Sequence, residues 1–341
     1  MDLQLRLFRR QYLQLFQHDF LSWPPKGLLK EADVQKWLYR NVFSPDCNDR
    51  LPPERYQFRV LKTLVTKIEQ SVEDPEEDEI SNDLISRFAE LVTISFPPET
   101  TAVQQKEYVT FSWPSSSMSS DETDGSDPTV TLLERRHLIS GSLTTGFRTW
   151  EAALHLGSYL LSDAAFDLIR GKSVIELGAG TGFLSALCGK HLDASHVTTT
   201  DGDEAVVETV KENLFLNGLD DARFNASVLR WGGGLAGTWV EEECEEWPYD
   251  MVLGSDITYH KNAIFALVST LRSLLELCPW LQALLSEAVR NEETFETFRH
   301  ACLRQHFTVT EVPFEAKPIR EQKGLFYATA APLRILSITR P

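Results

Sequence analysis

Ser173-Val-Ile-Glu-Leu-Gly-Ala-Gly-Thr-Gly-Phe183 decides the fold of the second half of this chain. Val174, Ile175 and Leu177 form a short apolar run suited to a strand buried on both faces of a parallel sheet. Gly178, Gly180 and Gly182 follow at once, and Phe183-Leu-Ser-Ala-Leu187 restarts with helical spacing. Strand, glycine turn and helix make the first half of a nucleotide-binding βαβ unit. Glycines serve there because the turn needs positive φ and because a Cβ would hold a ligand off the backbone.

The spacing narrows the ligand. A dinucleotide fingerprint, G-x-G-x-x-G, would need glycine at position 183, where Phe183 stands. The pattern here is Glu176-x-Gly178-Ala179-Gly180-x-Gly182, an acid two residues before the first glycine. It resembles motif I of the class I S-adenosylmethionine-dependent methyltransferases. The resemblance implies S-adenosylmethionine as cofactor, its amino-acid tail and ribose cradled by the wider turn. Taken alone, the turn also fits a strand-to-helix connection without any ligand.

Downstream segments extend the pattern. His196-Val-Thr-Thr-Thr-Asp201 is a second β-rich run, and Asp201 stands where a carboxylate at a strand tip accepts both ribose hydroxyls. Residues 205–217 read as a periodic helix closed by Asn217-Gly218. Ser227-Val-Leu-Arg-Trp-Gly232 is expected as a third strand, with Trp231 an aromatic ring suited to adenine. Tyr249 to Asp256 is expected as a fourth, again ending in an acid. The strand ends converge on one edge of a doubly wound sheet, where such folds bind ligands. Residues 262–277 and 292–304 read as helices, 281–286 as a fifth strand, and 307–314 with 333–339 as a final antiparallel pair. The expected fold is α/β, a doubly wound seven-strand Rossmann-like sheet behind an N-terminal helical domain and a β-hairpin lead-in.

The chain has 341 residues, room for two domains, with 42% hydrophobic and 24% charged residues, as in an ordinary globular protein. No apolar run is long enough for a bilayer and the N-terminus lacks a signal-peptide core, so no membrane role is expected. Five scattered cysteines, Cys47, Cys188, Cys244, Cys278 and Cys302, contain no C-x-x-C pair; reduced thiols, a cytoplasmic location and no metal site are expected. A net charge of −17 argues against nucleic acid and suits either a basic protein partner or a solvated acidic surface. With no coiled-coil pattern, a monomer is expected.

The first domain is expected over residues 1–106. Leu5, Phe8, Tyr12, Leu15 and Phe16 recur at helical spacing, ending before Pro24-Pro25. Residues 31–40 form a second stripe, and Pro52-Pro53 starts a third with Tyr56, Val60, Leu61, Leu64, Val65 and Ile68. The acidic run 74–79 is a loop or the first turn of a fourth helix reaching Val92. These stripes fit core packing or a helical domain that docks substrate. Residues 107–140 are expected as a hairpin lead-in, with strands 107–113 and 129–134 around a polar loop, 114–128, too poor in apolar residues to pack and expected to be mobile. The second domain is expected over 141–341.

Thr144 to Leu154 places Trp150 at a helix start, where its ring either meets the sulfonium by cation–π attraction or packs the helix on the sheet. The acceptor clue is Ser255-Asp256-Ile-Thr-Tyr259. Methyl transfer is an in-line displacement, so the enzyme must align a nucleophile and help it lose a proton. A lysine with pKa near 10.4 costs roughly 4–5 kcal/mol to deprotonate at neutral pH. Asp256 is suited to orient that amine and Tyr259 to wall its channel, unless Asp256 only caps the next helix.

Trp150, the Glu176–Gly182 motif, Asp201, Trp231 and Asp256-Ile-Thr-Tyr259 together resemble the seven-strand protein lysine methyltransferases marked by a D-x-x-Y motif. Thr145-Gly-Phe-Arg-Thr-Trp-Glu-Ala-Ala153, Arg290-Asn-Glu-Glu-Thr294 and Glu321-Gln-Lys-Gly-Leu-Phe326 are similar to the branch acting on translation elongation factor 2, as is the layout of the helical half. The resemblance implies Asp256 and Tyr259 as catalytic residues. It implies cofactor contacts at Trp150, Glu176, Gly178, Ala179, Gly180, Gly182, Asp201, Trp231 and Ser255, where the family often has alanine at 255. Transfer to another side chain such as histidine, or to a small molecule, and a catalytically idle binding module are the competing expectations. The acidic segment 241–246 is read as an insert that alters partner docking.

Overall fold

The computed structural model describes residues 2–73, 79–95, 105–115, 127–136, 145–165 and 167–340. The acidic run 74–78 and most of the polar loop, 116–126, lie outside them. Two compact units divide the chain, residues 1–137 and 138–341.

The first unit is built on helices. α1 (Leu3–Leu13) is capped by Asp2, whose side chain accepts from the N–H of Gln4, and buries Leu5, Phe8 and Tyr12 on the face their spacing predicts. α2 (Lys26–Leu29), not expected from the sequence, is a single turn. α3 (Ala32–Leu38) widens into a π turn, Tyr39–Phe43, of which Val42 and Phe43 are buried. α4 (Glu54–Glu69) starts after Pro53 and buries Val60, Leu61, Leu64, Val65 and Ile68; α5 (Asn82–Thr93) adds Leu84 and Leu91 to the same core. The hairpin β1 (Glu107–Ser112) and β2 (Thr129–Glu134) is antiparallel with Thr110 opposite Thr131, and falls in this unit. Arg10 of α1 clamps Asp127, just before β2, through two bonds of 2.7 and 2.8 Å. Both side chains are 6% exposed, so removing either partner strands a buried charge.

The second unit is a seven-stranded sheet in the order β5-β4-β3-β6-β7-β9-β8. Before it, α6 spans Glu151–Leu160. The strands and helices then alternate: β3 (Ser173–Leu177), α7 (Phe183–His191), β4 (His196–Asp201), α8 (Glu204–Leu216) and β5 (Phe224–Val228). They continue with α9 (Trp239–Glu246), β6 (Met251–Ser255), α10 (Lys261–Leu277), β7 (Gln282–Ala288), α11 (Glu292–Arg304), β8 (Thr308–Val312) and β9 (Leu333–Thr339). β5, β4, β3, β6 and β7 run parallel, while β9 inserts between β7 and β8 and is antiparallel to both. β3 is buried along its whole length, as its apolar run requires. Chain order reverses between β3 and β6, which opens a crevice at their C-terminal ends.

One expected strand is corrected. The third strand is β5, Phe224–Val228, rather than 227–232: the Leu229 N–H makes the last bond to β4, to the Asp201 carbonyl, and Gly232 at φ +95° then turns the chain. Trp231 therefore sits in a turn beyond the strand. Residues 241–246, read as an insert, form most of α9, capped by Thr238, with Val240 and Cys244 buried. Glu243 of that helix accepts from Thr198 (2.6 Å) and pairs with His196 (2.9 Å), tying α9 to β4. Among the described residues no helix is long and apolar enough to cross a membrane.

Candidate active site

The glycine turn is held from below. Glu176 is 1% exposed and accepts from both the N–H and the hydroxyl of Ser185 in α7. Burial pushes its carboxyl up to about 7, the two Ser185 bonds opposing. Its side chain thus bonds the helix behind the turn. The Ala179 N–H donates to the Thr200 carbonyl (2.9 Å), and Thr149 meets Thr181 hydroxyl to hydroxyl at 2.7 Å. Gly182, at φ +76°, caps α7.

Asp201 closes the turn from the next strand. Its Oδ2 accepts from the Gly180 N–H (3.1 Å) and its Oδ1 from the Asp203 N–H (3.1 Å). Burial raises its carboxyl above the ordinary value, and the peptide donors of Asp203, Gly180 and Gly202 pull it back. A carboxylate has about four acceptor directions, so the turn does not use all of them.

Opposite lies Gly178, at φ +61°. A Cβ there would stand 2.7 Å from Cγ2 of Ile257 and 3.2 Å from the indole of Trp231. The Trp231 ring and Ile257 therefore pack directly on the bare backbone of Gly178. Gly178→Ala is expected to weaken cofactor binding about tenfold or more, since strain at positive φ adds to the clash. Gly171→Ala is the control, because Gly171 has φ +69° with nothing within 4 Å of its missing Cβ. Equal calorimetric affinities for the two variants would contradict this.

At the tip of β6, beyond Ser255, Asp256 takes φ +51°, a left-handed conformation that turns its carboxylate across β7. Oδ1 accepts from the Ala288 N–H (2.8 Å), and Oδ2 faces the Arg290 guanidinium at 3.5 Å. Burial raises its carboxyl; the Ala288 N–H and Arg290 oppose. It does not act only as a helix cap: α10 is preceded by His260, and the Asp256 side chain goes to β7 and Arg290. Tyr259 is 65% exposed at the rim. Trp150, at the start of α6, donates through Nε1 to the Thr145 carbonyl (3.1 Å). Its ring is met by the guanidiniums of Arg148 (5.1 Å) and Arg290 (5.9 Å).

Two charged residues of this site carry no expectation from the sequence. Glu151 pairs with Arg290 at 3.2 Å. Glu287, an acid inside β7, is 3% exposed, and its Oε1 has no partner among the described residues. Burial first, then the charge of Asp256, pushes Glu287 up to about 8. It thus folds protonated, and the stability it contributes is full below its unfolded value and lost as pH rises through about 8. Glu287→Gln is expected to melt close to the parent at pH 5 and above it at pH 9, the gap growing at up to about 1.4 kcal/mol per pH unit. A gap that closes on going to pH 9 would contradict this.

Comparison with known proteins gives this arrangement a lineage. Residues 139–300 match the family described as lysine methyltransferase. The chain is 44% identical over 338 residues to protein-lysine N-methyltransferase EFM3 of Chaetomium thermophilum, covering 99% of this chain and 98% of that protein. It is 25% identical over 324 residues to protein-lysine N-methyltransferase EEF2KMT of Bos taurus, covering 89% and 85%. To EEF1A lysine methyltransferase 3 of Mus musculus it is 36% identical over 160 residues, covering 47% and 63%.

The methyl donor of these enzymes is S-adenosylmethionine, and the crevice fits it. The buried Nε1 of Trp231 has no partner among the described residues, a donor left for a ligand. Asp201 supplies a carboxylate at the tip of β4. A match running nearly end to end at that identity, on a sheet whose strand tips carry the cofactor's expected partners, places the chain among the protein-lysine N-methyltransferases.

Proposed function

We propose that the acceptor is a lysine of translation elongation factor 2. What supports this reading is the reach of the similarity. The relative named for elongation factor 2 matches 89% of the chain, helical half included, whereas the relative named for elongation factor 1A matches 47%. A helical unit shared with the first enzyme suits substrate docking. Elongation factor 1A is the second reading, favoured by the higher identity of the shorter match.

When bound, the cofactor supplies an electrophilic methyl carbon on a sulfonium. To hold it, Asp201 would accept from the ribose, and Gly178, Ala179 and Gly180 would admit the amino-acid tail to the backbone. Gly182 sets the helix behind them, Trp231 would wall the adenine, and Ser255 would contribute backbone at the strand tip. Asp256 holds the acceptor amine and receives its proton, a task its burial-raised carboxyl suits. Tyr259 lines the entrance. Incubation with labelled cofactor and each purified elongation factor is expected to label a single lysine of factor 2. Labelling of factor 1A alone would replace the target, and labelling of neither would remove both.

A further inference from the structure

Arg290 stands where a substrate cation would be received. Its guanidinium lies 3.2 Å from Glu151 Oε2 and 3.5 Å from Asp256 Oδ2, and 5.9 Å from the centre of the Trp150 ring. Two carboxylates from different elements and an aromatic ring thus converge on one positive charge. Yet the fit is loose. A guanidinium paired with a carboxylate normally makes two parallel bonds below about 3 Å, and here each carboxylate has a longer contact. The Arg290 side chain is also 51% exposed, while those of Asp256 and Glu151 are 11% and 25% exposed. The seat is more enclosed than its occupant.

A compact ammonium suits such a seat better than a planar fork, because it presents three donors from a single point. We propose that Arg290 is a placeholder for the acceptor lysine, and that Glu151 is the second carboxylate receiving the incoming ammonium when Arg290 swings aside. The inference rests on the lysine methyltransferase reading of this site and adds a recognition step to it. Glu151 and Asp256 select a protonated amine on arrival, before its proton is lost. With Arg290 in the seat, one of the two negative charges is offset and a stray cation must compete with the guanidinium for the pair. The placeholder lowers apparent affinity by the fraction of time that it holds the site. A lysine offered by a docked protein, at high local concentration, overcomes that competition where a free amine does not.

The test is a titration of the full chain with n-butylammonium, a lysine side-chain surrogate, followed by NMR. Wild type, Arg290→Gln, Glu151→Gln and Glu151→Asp are compared, with n-butanol as the uncharged control. Arg290→Gln is expected to bind about tenfold more tightly than wild type, and Glu151→Gln about tenfold more weakly. Glu151→Asp should recover most of the loss, and n-butanol should not bind. Equal or weaker binding by Arg290→Gln overturns the proposal, as does wild-type affinity in Glu151→Gln or no binding to any variant. No protein acceptor enters this measurement, so failure to label an elongation factor would leave its outcome decisive.

Discussion

Asp256→Asn is expected to lower methyl transfer about 10²–10⁴-fold while leaving cofactor affinity within about twofold and the fold intact. Asparagine keeps the shape of the side chain and tolerates the left-handed φ of +51° that residue 256 adopts. Its amide oxygen can still accept from the Ala288 N–H, so the turn out of β6 survives. What is lost is the charge facing Arg290 and any capacity to take a proton from the acceptor amine. Alanine at 256 would be less informative, since it removes the Ala288 bond and leaves a β-carbon at positive φ without a local hydrogen bond in compensation. The check is single-turnover transfer to the protein acceptor beside calorimetric titration of the cofactor. An asparagine variant that transfers at the wild-type rate would take Asp256 out of the reaction.

Much of this site is legible in the residues because glycine and acid positions carry direct physical meaning. Gly178, Gly180 and Gly182 all adopt positive φ, and only the missing Cβ of Gly178 brings Ile257 and Trp231 so near the turn. Asp201 and Asp256 mark strand tips because each follows a run that is buried up to its last residue. The apolar stripes of α1 and α4 likewise foretell which faces form the first core. Other features depend on tertiary partners that no local pattern displays. Glu176 reads as part of the motif, yet its side chain is committed to Ser185, nine residues away on the far side of the turn. Trp231 continues an apolar run, but pairing ends at Leu229 and the ring lands in a turn. Residues 241–246 look like a solvated acidic block because one carboxylate, Glu243, finds its partners on β4, 45 and 47 positions earlier. Arg290 and Glu151 meet across 139 residues, and neither has a local signal for the other. Glu287 lies one residue past the strand expected over 281–286, and only the observed extent of β7, Gln282–Ala288, brings it into the sheet.

The claim on which everything else stands is that Asp201 grips the cofactor's ribose at the end of β4. Two hydrogen bonds to a charged acceptor, each worth about 1.5–3 kcal/mol, set the scale. Removing them should cost roughly 10²–10⁴-fold in affinity. The direct measurement is calorimetric titration of wild type and Asp201→Ala with S-adenosylmethionine, with Asp201→Asn alongside to keep an acceptor for the Gly180 and Asp203 peptides. The account predicts tight binding by wild type, a loss of that size in the alanine variant and an intermediate loss in the asparagine one. Alanine binding within about twofold of wild type would mean that the cofactor is held elsewhere, and would contradict the account.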